Sequence, residues 1–289
     1  MAILENDHLL AIFKTTGAEL QSLVNKKTGI EYMWLGDPAF WAKHSPVLFP
    51  IVGGLKNDTY FYKNKKYHLP RHGFARDMEF EVTSFNANEI VFTLQHTETT
   101  LLVYPFSFIL NLRYTITNNQ LACTYEVFNP ANENLLFSVG AHPAFAVPMV
   151  NDLEEYKNYY LQFNETETLF RWKLHNGLIS EQSELLPTKN GRLQLDKKLF
   201  YEDAIVVKGM KSDSITIGSD MHTNGLRFNF TQFDFFGIWA AKDAPFVCLE
   251  PWCGIADSVN HNQQLSDKEG IQTLLPNEYW KRRWSVVCF

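Results

Sequence analysis

The stretch FILNLRYTIT, residues 108–117, decides the fold class. Its apolar side chains recur at every second position, and polar side chains such as Asn111 and Arg113 lie between them. A period of two is that of a β-strand with one buried face. After the turn-prone residues 118–119 the alternation resumes over 121–127. The two runs therefore predict an antiparallel hairpin.

Other parts of the chain show the same alternation. It recurs over residues 89–97, 213–218 and 226–239, whereas helical signals are few and short, the best of them at 153–160. Aromatic residues, which pack well on a pleated surface, make up 15% of the chain. These patterns predict one all-β domain over residues 1–289, with many antiparallel strands in stacked sheets and few short helices. A concave sheet face is then the natural place for a ligand.

The charge of the chain argues against nucleic acid and membrane surfaces as partners. The 26 basic and 32 acidic residues give a formal net charge of −6, whereas nucleic-acid binding needs a basic patch. A local basic run, formed by Lys63, Lys65 and Lys66, is interpreted as the solvated tip of a hairpin. We therefore expect neither a nucleic acid nor a membrane as partner.

The cysteines and the N-terminus indicate the location of the protein. Cys123, Cys248, Cys253 and Cys288 form no CxxC pair and have no histidine at zinc-ligand spacing, which favours buried thiols in a reducing compartment. The first residues, MAILENDHLL, lack the basic and apolar regions of a signal peptide, and no apolar run reaches about 18 residues. A soluble cytoplasmic protein is predicted.

Three segments place a titratable side chain in apolar or turn-forming sequence. They are LPRHGFARD (69–77) with His72, FSVGAHPAFAVP (137–148) with His142, and FVCLEPWCG (246–254) with Glu250. Each has a structural explanation beside the chemical one. A lone histidine can be a satisfied core residue, and Glu250 can form an ion pair with a buried arginine.

The sequence lacks the motifs of other catalytic machinery. It contains no GxSxG elbow, no glycine-rich phosphate loop, no HExxH pattern and no cluster with metal-ligand spacing. One buried-type carboxylate and a few histidines remain, which is the minimum for paired acid–base catalysis. Burial raises the pKa of a carboxyl group and lowers that of an imidazole, which suits such a pair to proton transfer. We expect no metal and no cofactor.

These segments, together with three others near the N-terminus, resemble the aldose 1-epimerase (galactose mutarotase-like) family, especially its small bacterial branch associated with lactose operons. The N-terminal matches are GAELQSL (17–23), EYMWLGDPAFW (31–41) and PVLFPIVG (46–53). RHGFARD, GAHPAF and PFVCLEPWCGIAD resemble the three active-site segments of the family. The resemblance extends almost from end to end, with the motifs in the right order.

The resemblance implies a large antiparallel β-sandwich, the galactose mutarotase-like supersandwich, with its site on the concave face. It also implies a cofactor-independent isomerase that interconverts the α and β anomers of a free hexose. Glu250 would remove the proton of the C1 hydroxyl, and His142 would protonate the ring oxygen. The ring would then open, the C1–C2 bond would rotate, and the ring would close on the other face. His72 would hold the ring-oxygen side or a neighbouring hydroxyl.

Further sugar contacts follow from the same resemblance. Asp203 is similar to the substrate-binding aspartate of the family, and a charge at a strand edge is the alternative explanation. Trp239 and Trp252 would form an apolar wall for the sugar, unless both are ordinary core residues.

One segment departs from the family pattern. The family commonly has an arginine soon after the glycine of the segment that matches PIVGGLKND, and this chain has Gly54 and Asp58 there. Lys56, Arg71 or Arg76 would then supply the cation for the sugar hydroxyls, although the two arginines could also be surface charges.

Three rival functions follow from these features. A hexose 6-phosphate mutarotase needs several cations at one end of the site, which Lys56, Arg71 and Arg76 could provide. A non-catalytic carbohydrate-binding or sensing protein of the same fold is the second rival, and the departure at Gly54 motivates it. A glycoside hydrolase fits less well, because it usually needs two carboxylates across the scissile bond. The pattern predicts no particular sugar and no oligomeric state.

Overall fold

A computed structural model describes residues 1–150 and 154–289. The strands of the first half are β1 (Ala2–Glu5), β2 (Leu9–Phe13), β3 (Leu20–Asn25), β4 (Val47–Leu48), β5 (Thr59–Tyr62), β6 (Lys65–His68), β7 (Glu81–Phe85), β8 (Glu89–Gln95), β9 (Ile109–Thr117), β10 (Gln120–Phe128), β11 (Leu135–Phe137), β12 (Val139–Ala141) and β13 (Ala144–Ala146). Those of the second half are β14 (Tyr159–Phe163), β15 (Phe170–His175), β16 (Leu178–Leu185), β17 (Arg192–Gln194), β18 (Ile205–Lys208), β19 (Ser214–Ser219), β20 (Leu226–Asn229), β21 (Phe235–Trp239), β22 (Phe246–Cys253), β23 (Gln272–Leu274) and β24 (Tyr279–Cys288).

Helical structure is confined to short elements in the described parts of the chain. The α-helix α1 (Glu98–Val103) begins after Thr97, whose side chain accepts from the backbone N–H of Thr100 in a capping box. Single 3₁₀ turns occupy Lys56–Asp58, Ala75–Asp77, Tyr156–Asn158, Lys197–Phe200 and Leu265–Asp267. None of the described helices is long and apolar enough to cross a membrane.

Two large antiparallel sheets form the body of the protein. The nine-stranded sheet has the order β17-β14-β19-β20-β24-β10-β9-β8-β7. The eight-stranded sheet has the order β16-β15-β18-β21-β22-β12-β4, with β13 also paired to β22. Aromatic side chains join the two: Phe228 of β20 lies 5.8 Å from Phe145 of β13 and 6.4 Å from Phe236 of β21, centroid to centroid. The predicted antiparallel β-sandwich is confirmed.

The β9–β10 hairpin forms as the alternation predicted. Thr117 is paired with Gln120 across the turn, and Asn118 takes a left-handed φ of 50°, which asparagine tolerates better than most residues. Along β9 every second side chain is buried. The lysine-rich segment is a hairpin tip as well, because Lys63 and Asn64 form the left-handed turn between β5 and β6.

One stretch of predicted strand structure divides into two strands, and one predicted helix is wrong. Residues 226–239 form two strands in different sheets, β20 and β21, because Gln232 takes a left-handed φ of 69° and turns the chain between them. The turn contains neither glycine nor proline. A shift in the phase of the alternation marks it, because the apolar positions change from 226, 228 and 230 to 233 and 235. In the predicted helix at 153–160, position 153 lies outside the described residues. The rest holds only the 3₁₀ turn Tyr156–Asn158 before β14 begins.

The centre of the eight-stranded sheet, at β22, is buried on both faces, and this positions the site. One face packs into the main core, which includes Ile238 and Leu249. The other face carries a second, smaller apolar cluster around Val206, Trp252 and Ile255. Every residue of β22 is buried as a result. A strand that is covered on both sides has a continuous apolar sequence. β22 is such a strand, and Glu250 lies within it.

Candidate active site

A cavity of about 430 Å³ opens over the second face of the eight-stranded sheet. Its volume lies within the range usual for small-molecule sites. Eight of the residues nominated from the sequence line it, namely Arg71, His72, Arg76, His142, Asp203, Trp239, Glu250 and Trp252. Lys56 does not line this cavity. Its ammonium group instead donates a hydrogen bond to the carbonyl oxygen of His261, at 3.2 Å.

An interruption in the sheet brings His142 to Glu250. On one flank β22 pairs continuously with β21, and Glu250 lies opposite Gly237. On the other flank its partners are two short strands, β13 and β12, which leave a gap. His142 and Pro143 fill this gap, and Pro143 keeps one contact by accepting from the N–H of Leu249 at 3.2 Å. The break thus sets His142 beside the middle of β22.

Glu250 and His142 form a buried pair in close contact. The distance from Glu250 Oε2 to His142 Nε2 is 3.2 Å, and the Glu250 side chain is 2% exposed. Burial raises the pKa of Glu250 well above its usual value, the Asp203 carboxylate adds to the rise, and the Trp252 indole opposes it. Burial lowers the pKa of His142 to about 3, with a further contribution from the positive charge of Arg76. Both shifts favour the uncharged forms.

His72 approaches the pair from a second wall of the cavity. Its ring lies 5.9 Å from that of His142 and nearly perpendicular to it. Its Nδ1 accepts from the backbone N–H of Gly53 at 3.1 Å, so Nε2 is the nitrogen that carries the proton. The pKa of His72 lies well below its usual value, mainly because of burial and then because of His142 and Arg76. The residue has a left-handed φ of 69°, and such strain in a non-glycine residue is typical of functional sites.

Two arginines supply the positive charge of the cavity. Arg71 and Arg76 both line it. Arg76 donates from Nη2 to the carbonyl oxygen of Arg71 at 2.9 Å, and its Nε lies 3.5 Å from an oxygen of Asp77. Gly54 lines the cavity as well, so no side chain fills the place where the family commonly has an arginine.

Asp203 places a second carboxylate in the cavity. It stands in a left-handed conformation with φ of 85°, just before β18. Its Oδ1 accepts from the backbone N–H of Ala204 at 2.8 Å, and its carbonyl oxygen accepts from Arg171 at 2.9 Å. These contacts fix the carboxylate at the cavity wall, where it remains an acceptor for further donors.

Two tryptophans form apolar parts of the cavity surface. Trp239 and Trp252 both line it. The Trp252 indole lies between Gly140 of β12 and Gly237 of β21, because a Cβ at these glycines would come within 2.6 Å and 2.4 Å of its ring atoms. The two glycines therefore allow the ring to lie flat across its neighbouring strands. Apolar ring faces of this kind can cover the apolar face of a sugar.

Replacing Gly237 with alanine is expected to destabilise the protein by about 1–3 kcal/mol, because the new methyl group displaces the Trp252 indole from a packed site. Urea unfolding measures this loss. Gly54→Ala is the matched control, since its Cβ would meet its nearest neighbour, the carbonyl oxygen of Gly177, at 3.4 Å, an ordinary contact. Equal stability of the two variants would show that the close approach to Trp252 costs nothing.

Sequence reasoning overlooked several parts of the cavity. Trp41 stacks on His142 with ring centroids 5.0 Å apart, and it meets Trp239 edge to face at 5.6 Å. It lies in the EYMWLGDPAFW segment. The feature of this segment that could have indicated Trp41 is a pair of aromatic residues separated by a glycine and a proline. Gly177 and Ile179 from the β15–β16 hairpin also line the cavity, and nothing in their local sequence indicates a site.

One group of described side chains has the donors for a metal ion. The ligand atoms of His142, Cys248 and Glu250 all lie within 4.8 Å of one another, and all three residues are buried. Nitrogen, thiolate and carboxylate donors suit zinc. Two of these residues are the Glu250 and His142 pair itself, so a bound ion would lie between these two side chains.

The shifted pKa of Glu250 predicts a pH-dependent effect of its replacement on stability. Above the usual carboxyl pKa the unfolded chain loses this proton while the folded chain keeps it, so the free energy of unfolding falls by about 1.4 kcal/mol for each pH unit up to the raised pKa. Glu250→Gln removes this contribution. We expect the variant to gain stability over the native chain as pH rises from 5 to 8, measured by urea unfolding at each pH. A constant difference across this range would contradict the raised pKa.

Comparison with known proteins identifies the family. A family model described as aldose 1-epimerase matches residues 2–285. The chain belongs to the aldose 1-epimerase family. Two curated relatives are the plasmid and chromosomal forms of protein LacX from Lactococcus lactis subsp. lactis, each 34% identical over 294 residues, with 98% of each chain covered. The resemblance predicted from the sequence motifs is confirmed.

Solved structures of aldose 1-epimerase relatives share the whole fold. A galactose mutarotase related enzyme from Lactobacillus acidophilus superimposes with a TM-score of 0.95 at 33% identity, covering 100% of this chain and 97% of that one. A galactose mutarotase-like protein from Lactobacillus casei ATCC 334 gives 0.94 at 30% identity and covers 100% of both chains. Family and fold together support an epimerase with mutarotase-like activity on a sugar.

Proposed function

We propose that this protein is a cofactor-independent mutarotase that interconverts the α and β anomers of a free hexose in the cytoplasm. The observation that carries the proposal is the buried pair of Glu250 and His142, 3.2 Å apart, in a cavity with sugar-sized room and apolar walls. A carboxylate base and an imidazole acid are the groups that this proton transfer needs.

The raised pKa of Glu250 and the lowered pKa of His142 both favour the proton transfers of ring opening. In the reactive form His142 carries the shared proton and Glu250 is a carboxylate. Glu250 takes the proton of the C1 hydroxyl, the electrons of that O–H bond form the C1=O1 double bond, the C1–O5 bond breaks, and O5 takes the proton of His142. Because its pKa is raised, Glu250 is a stronger base than usual, and the lowered pKa makes protonated His142 a stronger acid. Both transfers thus lead to the uncharged forms that burial favours.

Ring closure reverses these steps after rotation about C1–C2. His142 takes the proton back from the O5 hydroxyl as O5 attacks C1 from the other face, and Glu250 returns its proton to O1. No redox step and no covalent intermediate is involved, and the pair ends in its starting protonation state. The stacking of Trp41 on His142 holds the imidazole in place during both steps.

The remaining cavity residues bind the sugar in this proposal. Asp203 accepts hydroxyl hydrogen bonds, His72 donates from Nε2 to the ring-oxygen side, and Arg76 donates to a neighbouring hydroxyl. Trp239 covers an apolar face of the ring. The positions of these side chains on the cavity wall support the roles.

The test is the rate of anomer exchange. Polarimetry on freshly dissolved α-galactose and α-glucose, with and without the protein, is expected to show a catalysed approach to equilibrium. Sugar binding, measured by quenching of tryptophan fluorescence, with no rate increase over buffer would instead establish a non-catalytic sugar-binding protein.

Arg71 and Arg76 favour a second candidate, mutarotation of a hexose 6-phosphate, because two guanidinium groups near one wall suit a phosphate. NMR exchange on glucose and glucose 6-phosphate separates the candidates. Faster exchange of the free sugar supports the first proposal. A preference for the phosphorylated sugar, lost in Arg71→Gln, would replace it.

A further inference from the structure

We propose that Asp257 and Lys268, outside the cavity, form a buried ion pair that positions His72 and the cavity wall for sugar binding. The inference rests on the proposed function, in which His72 contacts the sugar. Both are positioning residues, because neither lines the cavity.

The two side chains are fully buried and joined directly. Asp257 Oδ1 accepts from Lys268 Nζ at 2.9 Å, and both side chains are 0% exposed. Burial lowers the pKa of Lys268, and the charge of Asp257 opposes that shift. A buried ion pair adds little net stability, while loss of one partner leaves a costly unpaired charge. We therefore infer that the role of this pair is to hold other segments of the chain in place.

Asp257 links three segments of the cavity wall. Its Oδ2 accepts from the backbone N–H of Lys56 at 2.9 Å. Its own N–H donates to the carbonyl oxygen of Gly54, and its carbonyl oxygen accepts from the N–H of Ile179, both at 2.9 Å. Gly54 and Ile179 line the cavity, as does Ala256, which directly precedes Asp257. One residue thus fixes the loop before β5, the start of β16 and the chain after β22.

The same loop holds His72. The N–H of Gly53 donates to His72 Nδ1 at 3.1 Å, and the N–H of His72 donates to the carbonyl oxygen of Gly53 at 2.9 Å. A Cβ on Gly53 would lie 2.5 Å from the Cβ of Ala256, so the loop also packs directly on the segment that leads to Asp257. A shift of Asp257 is therefore transmitted through Gly53 to the imidazole.

Replacement of Asp257 with asparagine is a sharp test, because both carboxylate oxygens accept hydrogen bonds. An asparagine has one acceptor oxygen, so it loses either Lys268 or the N–H of Lys56. We expect Asp257→Asn to raise KM about tenfold with a smaller change in kcat, since its effect passes through a binding residue. The ring ¹⁵N resonances of His72 are expected to shift.

The double variant Asp257→Asn with Lys268→Met keeps the test decisive if the single variant fails to fold, because it removes the unpaired buried ammonium. It is expected to fold and still to show the raised KM and the shifted His72 resonances. Asp267→Asn, an exposed aspartate that interacts with Asn262 and Ser266, is the matched control and is expected to leave both readouts unchanged.

The two proposals fail in different ways. If the native protein does not accelerate anomer exchange, the proposed function fails, and the His72 resonances still report on positioning. A folded double variant with native KM and native His72 resonances would overturn the positioning role while the proposed function stands. If the native protein proves inactive, native His72 resonances in the folded double variant would likewise overturn the positioning role.

Discussion

Replacing Glu250 with glutamine is expected to lower the acceleration of anomer exchange by about a hundred- to ten-thousand-fold, the usual contribution of one general base. The amide has the size of the carboxyl group and fits the same buried site, but it cannot take the proton of the C1 hydroxyl. Sugar binding is expected to persist in part, because Asp203, His72 and Trp239 are unchanged. Polarimetry gives the rate, and tryptophan fluorescence gives the affinity.

Glu126→Gln is the matched control for this experiment. Glu126 is also a buried glutamate, but it lies in the nine-stranded sheet, where it pairs with Arg113 and Lys281. Its replacement is expected to alter stability and to leave the rate per folded molecule unchanged. Undiminished activity in Glu250→Gln would remove Glu250 from its role as base.

Replacing His142 with asparagine is expected to have an effect of similar size, about a hundred- to ten-thousand-fold on kcat. Asparagine can hydrogen-bond to Glu250, but its amide N–H is too weak an acid to protonate the ring oxygen. Because Glu250 and His142 act as one unit, the double variant is expected to lose little more than either single variant. The measurement is polarimetry at saturating sugar.

The control for His142 is His96→Asn. His96 follows β8, where its Nδ1 lies 3.2 Å from the carbonyl oxygen of Phe108, and it does not line the cavity. We expect native kcat in this variant. Additive losses in the double variant of Glu250 and His142 would show that the two groups do not share a proton, and the proposed mechanism would have to be abandoned.

Sequence patterns predicted the strands where one face of a sheet is buried. In β9 and β10 the alternation gave both the strands and their turn, since polar and apolar faces differ. At 226–239 the predicted strand structure is present, but it divides at a turn into two strands of different sheets. Period two shows that a strand exists but not which sheet it joins, because pairing depends on residues distant in the chain.

Prediction of the site was uneven for a similar reason. The motifs indicated Glu250, His142 and His72, and the structure brings all three to one cavity. Lys56, proposed from its place in the sequence, instead directs its ammonium group to His261. The direction of a side chain in a 3₁₀ turn depends on tertiary contacts, and here Asp257 holds the backbone of Lys56, the first residue of its turn.

The sequence by itself determined the all-β class, the family and the apolar setting of Glu250, because alternation, motif order and an uninterrupted apolar run are local properties of the chain. Only the tertiary structure decided what Glu250 meets. The break between β12 and β13 sets His142 against it, and the buried pair of Asp257 and Lys268 holds the wall that carries His72. Both arrangements depend on contacts between segments far apart in sequence, His142 with Glu250 and the Gly53 loop with Ala256 and Asp257, so the local sequence does not determine their geometry.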